Sequence, residues 1–256
     1  MHTFFVHIGK CGGMSIREML KQKYGADNSY DISDIFTKWN KAKVDTPTAF
    51  YGHATYSLSS FLPQPLYIFT MLRNPASRIL SYWKHMKREG PKIHTTNAHL
   101  LAMDFTDALQ HPDFDRLNNG IVKALSIDLS NEYTDLYHKV HDLGMDFTIE
   151  HNKFSRHLNN SDVGIDRCYC DSNMLETAKE CLSDVRFGFQ EKYNEGIHHI
   201  FEPLEYMPEI VQVNAAPLTQ QIDLTPTQME IIKETNKYDF ELYEYAQTIY
   251  SRRIQK

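Results

Sequence analysis

A lysine set among three glycines, Gly9-Lys10-Cys11-Gly12-Gly13, is the stretch of this 256-residue chain best suited to chemistry. Glycine has no Cβ, so its backbone N–H groups stand open to close approach. Lys10 adds positive charge, and Ser15 follows the glycine pair with a hydroxyl. Ahead of the loop, Phe4, Phe5, Val6 and Ile8 make an apolar, β-prone run long enough for one buried strand. From Ser15 the period turns helical, with Ile16, Met19, Leu20 and Tyr24 on one face and Gly25 placed for a C′ residue. Strand, glycine-rich loop and helix together make an anion site, because loop N–H groups and the positive helix end point at the same spot. The expected ligand is a phosphate-like group held by Lys10, Cys11, Gly12, Gly13, Met14 and Ser15. The bland alternative is a tight strand-to-helix turn with an incidental lysine. A nucleoside-triphosphate P-loop does not fit, since Phe4 stands where its first glycine belongs and Cys11 replaces its magnesium-binding hydroxyl.

A second stretch repeats the pattern. Leu66 to Leu72 is an apolar strand that runs into Arg73-Asn74-Pro75, then a helix from about Pro75 to Lys87. Pro75 suits the first helical turn, Asn74 its cap, and Ile79, Leu80 and Trp83 a buried face. Arg73 at the strand end and Ser81 in the helix are spaced to reach one polar group, and a guanidinium fork with a hydroxyl is good phosphate chemistry. Against this stands a solvated arginine with an unrelated serine.

Together these two stretches resemble the sulfotransferases that use 3′-phosphoadenosine 5′-phosphosulfate (PAPS). HIGKCGGMSI is similar to that family's 5′-phosphosulfate loop, and MLRNPASRILSYW to its 3′-phosphate motif, in the right order and about sixty residues apart. The nearest branch is the one containing heparan sulfate 2-O-sulfotransferase and related carbohydrate enzymes. Phe50-Tyr51-Gly52-His53 resembles the family's Gly-His segment, Leu117 to Ser126 its Asn-containing helix, and Ala178 to Glu191 its helix with a following strand. Near the end, Asn236-x-x-Asp239-x-x-Leu242-Tyr243 matches its closing helix pattern. Lys87 to Asp115 and Leu129 to Asp171 are the least recognisable parts.

The resemblance implies that His53 is a catalytic base and that Lys10 stabilises the leaving nucleotide. It also implies that the loop and Ser15 hold the 5′-phosphosulfate while Arg73 and Ser81 bind the 3′-phosphate. Gly9 replaces the usual proline, and Cys11 and Met14 replace two threonines, so two hydroxyl contacts are missing. The outcome expected is a variant site that still works. His7 is a rival histidine, but it ends the strand and is expected to pack.

These residues need a parallel α/β scaffold to meet, and the composition permits one. With 41% apolar residues and no repeat or low-complexity run, the chain has the make-up of one α/β domain over residues 1–256. The expected fold is a central, mainly parallel sheet flanked by helices, the P-loop-like sulfotransferase fold. Ala49 to Tyr51 and Val185 to Gln190 supply further strands, and Thr225-Pro226-x-Gln228 opens a late helix with a capping box. Residues 91–171 are expected to fold as helices and loops that choose the acceptor, with Asp104, Asp142, Glu150 and Arg156 as unranked polar groups.

A net charge of −6 argues against nonspecific nucleic-acid binding. No run of apolar residues is long enough to span a membrane, and the early first strand leaves no room for a signal peptide. The start at Met1 therefore suggests a soluble cytoplasmic enzyme. Cys11, Cys168, Cys170 and Cys181 offer neither a disulfide framework nor a zinc ligand set, and no metal is expected. The leading expectation is sulfuryl transfer from PAPS to a hydroxyl or amine of a small-molecule acceptor, with release of adenosine 3′,5′-bisphosphate (PAP). A carbohydrate-polymer sulfotransferase, a non-catalytic PAP-binding protein and an ATP-dependent nucleotide kinase are the alternatives.

Overall fold

The computed structural model describes residues 1–39, 45–90, 98–146, 150, 170–210 and 223–254. Five strands form one sheet in the order β2-β3-β1-β4-β5, every pair parallel: β1 (His2–Val6), β2 (Ser29–Tyr30), β3 (Ala49–Gly52), β4 (Leu66–Leu72) and β5 (Arg186–Phe189). A parallel sheet is covered on both faces, so its central strand need not alternate. All five residues of β1 are accordingly buried.

The register decides where the site falls. Val6 lies opposite Gly52 on one side and Thr70 on the other, so β1 and β3 end level. The Thr70 hydroxyl donates to the Val6 carbonyl at 2.8 Å, pinning the end of β1 to β4. The chain leaving β1, the residue after β3 and the end of β4 therefore open on one edge of the sheet. Ligands of open α/β sheets sit at that carboxyl edge.

Helices α1 (Gly13–Tyr24) and α3 (Pro75–Glu89) follow β1 and β4. Asn74 caps α3 by accepting the Ser77 N–H, with Pro75 in the first turn as expected. The buried face of α3 differs from the expected one: Leu80 is half-buried, and Arg78 and Met86 join Ile79 and Trp83 inside. Strand β1 also stops short of Ile8, and β2 is followed by α2 (Ile32–Thr37).

Beyond α3 come α4 (Ala98–Leu101), α5 (Phe105–Leu109), a 3-10 turn (Pro112–Leu117), α6 (Gly120–Ser126) and α7 (Ser130–Tyr137). Leu100, Leu109 and Phe114 pack with Ile79, Trp83 and Met86 of α3 as a second core beside the main one. The last helices are α8 (Ser172–Asp184), α9 (Tyr193–Phe201), α10 (Pro226–Thr235) and α11 (Lys237–Ile254). The expected Thr225–Gln228 capping box is present. Asp104 accepts the Asp107 N–H as the N-cap of α5, and Asp142 pairs with His138, so both have structural employment. Glu150 is buried and lies 3.9 Å from Lys139. Arg156 and Cys168 fall outside the described residues.

Candidate active site

The loop from His7 to Gly12 turns out of β1 on two left-handed residues, Lys10 at φ 69° and Gly12 at φ 83°. For lysine that conformation is strained, and such strain persists where the surroundings impose it. Gly12 and Gly13 are required by their neighbours as well. A Cβ on Gly12 would lie 2.1 Å from the Gln190 amide, and one on Gly13 would lie 1.9 Å from the His7 ring. The first turn of α1 carries neither a side-chain cap nor an acidic residue. Its N–H groups are thus left for an anion, as the positive end of a helix dipole requires.

The side chains around the loop divide into two sets. Cys11 is fully buried, with its thiol pushed up to about 12 by burial, and its N–H donates to the Ile8 carbonyl at 3.3 Å. Its side chain belongs to the core, so no hydroxyl could point from there to a ligand. Ser15 is buried too, its hydroxyl turned to Tyr193. What Ser15 offers the loop is its place in the uncapped first turn, not a free hydroxyl. Met14 is exposed at the rim.

Lys10 and Arg73 are tied directly, because Arg73 Nη1 donates to the Lys10 carbonyl at 3.0 Å. The end of β4 thereby holds the loop after β1 in its strained shape. Burial lowers the Lys10 pKa, and the nearby Arg88 and Arg73 guanidinium groups lower it further. Arg88 stands, exposed, at the far end of α3 and is held by Glu89 at 2.9 Å. Lys87 does face away, donating to the Leu101 and Met103 carbonyls. Ser81 is half-buried on α3 between Arg73 and Arg88 in sequence.

His53 follows β3 directly, and its Nδ1 lies 3.0 Å from the His7 carbonyl. A carbonyl only accepts, so Nδ1 carries the proton and the lone pair of the neutral ring sits on Nε2. His53 stacks on the His7 ring with centroids 4.1 Å apart. Dense packing lowers its pKa, Arg17 and Lys10 push the same way, and the bond to the His7 carbonyl opposes them. Solvent nevertheless reaches the ring, which is exposed on its outer side. His7 is buried, as expected, and burial with the neighbouring His53, Arg17 and Lys10 takes its pKa down to about 2. The arrangement is a neutral imidazole with an outward lone pair beside a cationic loop.

Four residues to which the sequence reading gave no role stand around the loop. Gln190 and Tyr193, just past β5, roof Gly12. Glu191 accepts the Asn74 N–H at 2.8 Å and the Tyr243 hydroxyl at 2.9 Å, joining α3, β5 and α11 behind the site. Arg17, one turn into α1, lies over the Tyr51 ring at 4.9 Å. The only signal for any of them was proximity to a motif.

A parallel α/β sheet with an uncapped helix start and a lysine loop at its carboxyl edge has the form of the anion sites of nucleotide-binding folds. The sequence profile of the sulfotransferase family matches residues 2–246, and the chain belongs to that family. It is 25% identical over 203 residues to heparan-sulfate 6-O-sulfotransferase 1-B of Danio rerio, covering 74% of this chain and 45% of that protein. It is 24% identical over 205 residues to heparan-sulfate 6-O-sulfotransferase 2 of Danio rerio, covering 74% of this chain and 39% of that protein. The chain thus spans less than half the length of these relatives. Both fall in the carbohydrate branch that the motifs resemble. Among the described residues, no helix is long and apolar enough to cross a membrane.

Proposed function

We propose that this protein transfers the sulfuryl group of PAPS to a hydroxyl of a carbohydrate acceptor. The observation that carries this reading is the gathering of Lys10, Arg73 and Arg88 at the uncapped start of α1 in a chain of net charge −6. Burial and the two guanidinium groups lower the Lys10 pKa, and an anion bound beside Lys10 would favour its charged form.

In this reading the loop N–H groups and Lys10 hold the 5′-phosphosulfate, and Arg73 with Ser81 holds the 3′-phosphate. Lys10 sits where charge grows as the nucleotide departs, and fixed charges of that kind supply much of the catalysis in group transfer. When bound, PAPS supplies the activated sulfuryl group. His53 takes the acceptor proton on Nε2, and its link to the His7 carbonyl keeps that nitrogen unprotonated beforehand. The sequence alone suggested a small-molecule acceptor. The names of the two similar proteins favour a carbohydrate instead. The free thiols of Cys11 and Cys181 fit a reducing compartment such as the cytoplasm.

The first test is thermal stability with PAP, ADP or ATP in the absence of magnesium. A ligand at about a hundred times its dissociation constant adds roughly 2.7 kcal/mol, so a clear shift is expected with PAP alone and lost in Arg73→Ala. Equal stabilisation by ATP would overturn the 3′-phosphate assignment. Sulfuryl transfer from labelled PAPS to desulfated glycosaminoglycan oligosaccharides, compared with small phenols and amines, then decides the acceptor class.

A further inference from the structure

We propose that His99, His111 and Asp113 form a binding site for a zinc-class divalent metal ion on the flank of the molecule, clamping α4 to the turn that precedes α6. One ligand atom from each residue lies within 4.8 Å of the others. Asp113 Oδ2 stands 2.9 Å from His99 Nε2 and 3.9 Å from His111 Nδ1. Two donors on one zinc ion, with bonds of about 2.0–2.1 Å, lie roughly 3.3 Å apart in a tetrahedral arrangement. The two observed separations bracket that value, so a modest rotation of either imidazole completes the set.

The fold prepares this set from two separate segments. His99 adjoins Leu100, and Asp113 adjoins Phe114, and both of those neighbours are fully buried in the second core. The backbone carrying each ligand is therefore fixed by packing while the ligand side chain reaches outward. His111 is further placed by its own backbone, which donates to the Ala108 carbonyl at 3.1 Å and accepts the Phe114 N–H at 2.8 Å. Its Nδ1 accepts the Asp113 N–H at 3.2 Å, a bond that a metal ion on that nitrogen would displace. The imidazole centroids lie 4.9 Å apart with a 52° tilt, so the rings converge without stacking.

Two imidazoles and one carboxylate choose the class of ion. Nitrogen donors favour zinc, copper or nickel over magnesium and calcium, which take oxygen ligands. Three protein ligands leave the remaining position to water. His99 and Asp113 adjoin residues of the second core, so the ion is assigned a structural role. It would hold α4 and the Pro112–Leu117 turn onto the second core, which also seats α3.

The test is isothermal titration of the reduced, chelator-treated protein with zinc chloride, with magnesium chloride as control. The expected result is one equivalent of zinc, no magnesium binding, and a rise in melting temperature on zinc addition. His99→Gln and His111→Gln should each weaken zinc by more than the roughly 10–100-fold cost of losing an outer partner, with metal-free melting unchanged. Cobalt(II) should give a visible spectrum without a thiolate charge-transfer band. No zinc binding, zinc binding that survives both substitutions, or a thiolate band pointing to the cysteines would each overturn the proposal. If a glutamine variant melts early without metal, His99→Asn and Asp113→Asn carry the same comparison.

Discussion

Asn119 and Asp239 cap each other's helices. The Asn119 Oδ1 accepts the Tyr238 and Asp239 N–H groups at 3.1 and 3.2 Å, at the start of α11. The Asp239 carboxylate in return accepts the Ile121 and Val122 N–H groups at 3.0 and 2.9 Å, at the start of α6. Asn236 extends the exchange, accepting the Asn119 N–H and donating to Asn118. Arg78 of α3 closes it, donating to the Leu117 carbonyl and to Asp239 at 3.3 Å. Burial pushes the Asp239 carboxyl up, while Arg78 and the two N–H groups favour its charged form.

Removing Asp239 leaves a buried guanidinium and two helical N–H groups unpaired. Asp239→Ala is expected to cost about 3–5 kcal/mol of stability, the range for breaking a buried ion pair from one side. Asn119→Ala should cost about 1–2 kcal/mol as a lost cap. Because both act at one junction, the double variant should lose less than the sum. Urea unfolding of the four proteins checks this, and strict additivity would contradict the coupling.

Gly13→Ala places a methyl group on the His7 ring, so His7 or the loop must move. The strain of such a displaced site is about 1–3 kcal/mol. PAP should therefore bind some ten- to a hundredfold more weakly, while the variant still unfolds cooperatively. Titration of the PAP-dependent melting shift reads this directly. A loop that keeps wild-type affinity would remove the glycine pair from the donor site.

His7 gives stability a pH dependence whose sign is fixed. Its pKa is near 6.5 when unfolded and about 2 when folded, so between those values the unfolded chain holds a proton that the folded chain does not. Stability from this residue is complete above about pH 6.5 and is lost as pH falls toward 2, with a slope of up to about 1.4 kcal/mol per pH unit. His7→Phe keeps a ring beneath His53 and should flatten the acid side of a denaturation series run from pH 4 to 8. An unchanged slope would mean that His7 is not buried neutral.

His53 should affect turnover and leave donor binding intact. With its pKa lowered below 6.5, the ring is neutral at pH 7, and the acid limb of kcat/KM should have its midpoint below 6.5. His53→Ala is expected to lower kcat by about 10²–10⁴-fold, the usual share of a general base. PAP should still stabilise the variant. Loss of both together would make His53 part of the donor site instead.

What the sequence made legible is what local rules control. Gly12 and Gly13, the Asn74 cap with Pro75, and the Thr225–Gln228 box are short-range devices, and each stands where its residues indicate. The two-residue strand β2 carries no alternation to detect, and it forms because β3 offers it an edge. The burial of Arg78 was not legible because its partner, Asp239, lies 161 residues away. Arg88, Gln190 and Glu191 were hidden for the same reason: their roles depend on which strand ends lie side by side. Asp104 shows the reverse error, a polar residue available for chemistry by type and already spent on capping α5.

The place of β1 in the sheet bears on how the chain is made. It is synthesised before the other strands of its sheet, yet it lies in the middle, and its partners are residues 49–52 and 66–72. Until those segments emerge, an apolar strand with two open edges has nothing to pair with, and such strands invite association between nascent chains. The sheet closes only after β5 at residues 186–189, and the Asn119–Asp239 junction only after residue 239. Contacts of such long sequence separation make folding slow. The sheet and its junction are therefore complete only once residue 239 is available, and until then β1 is the strand that chaperones would have to shield.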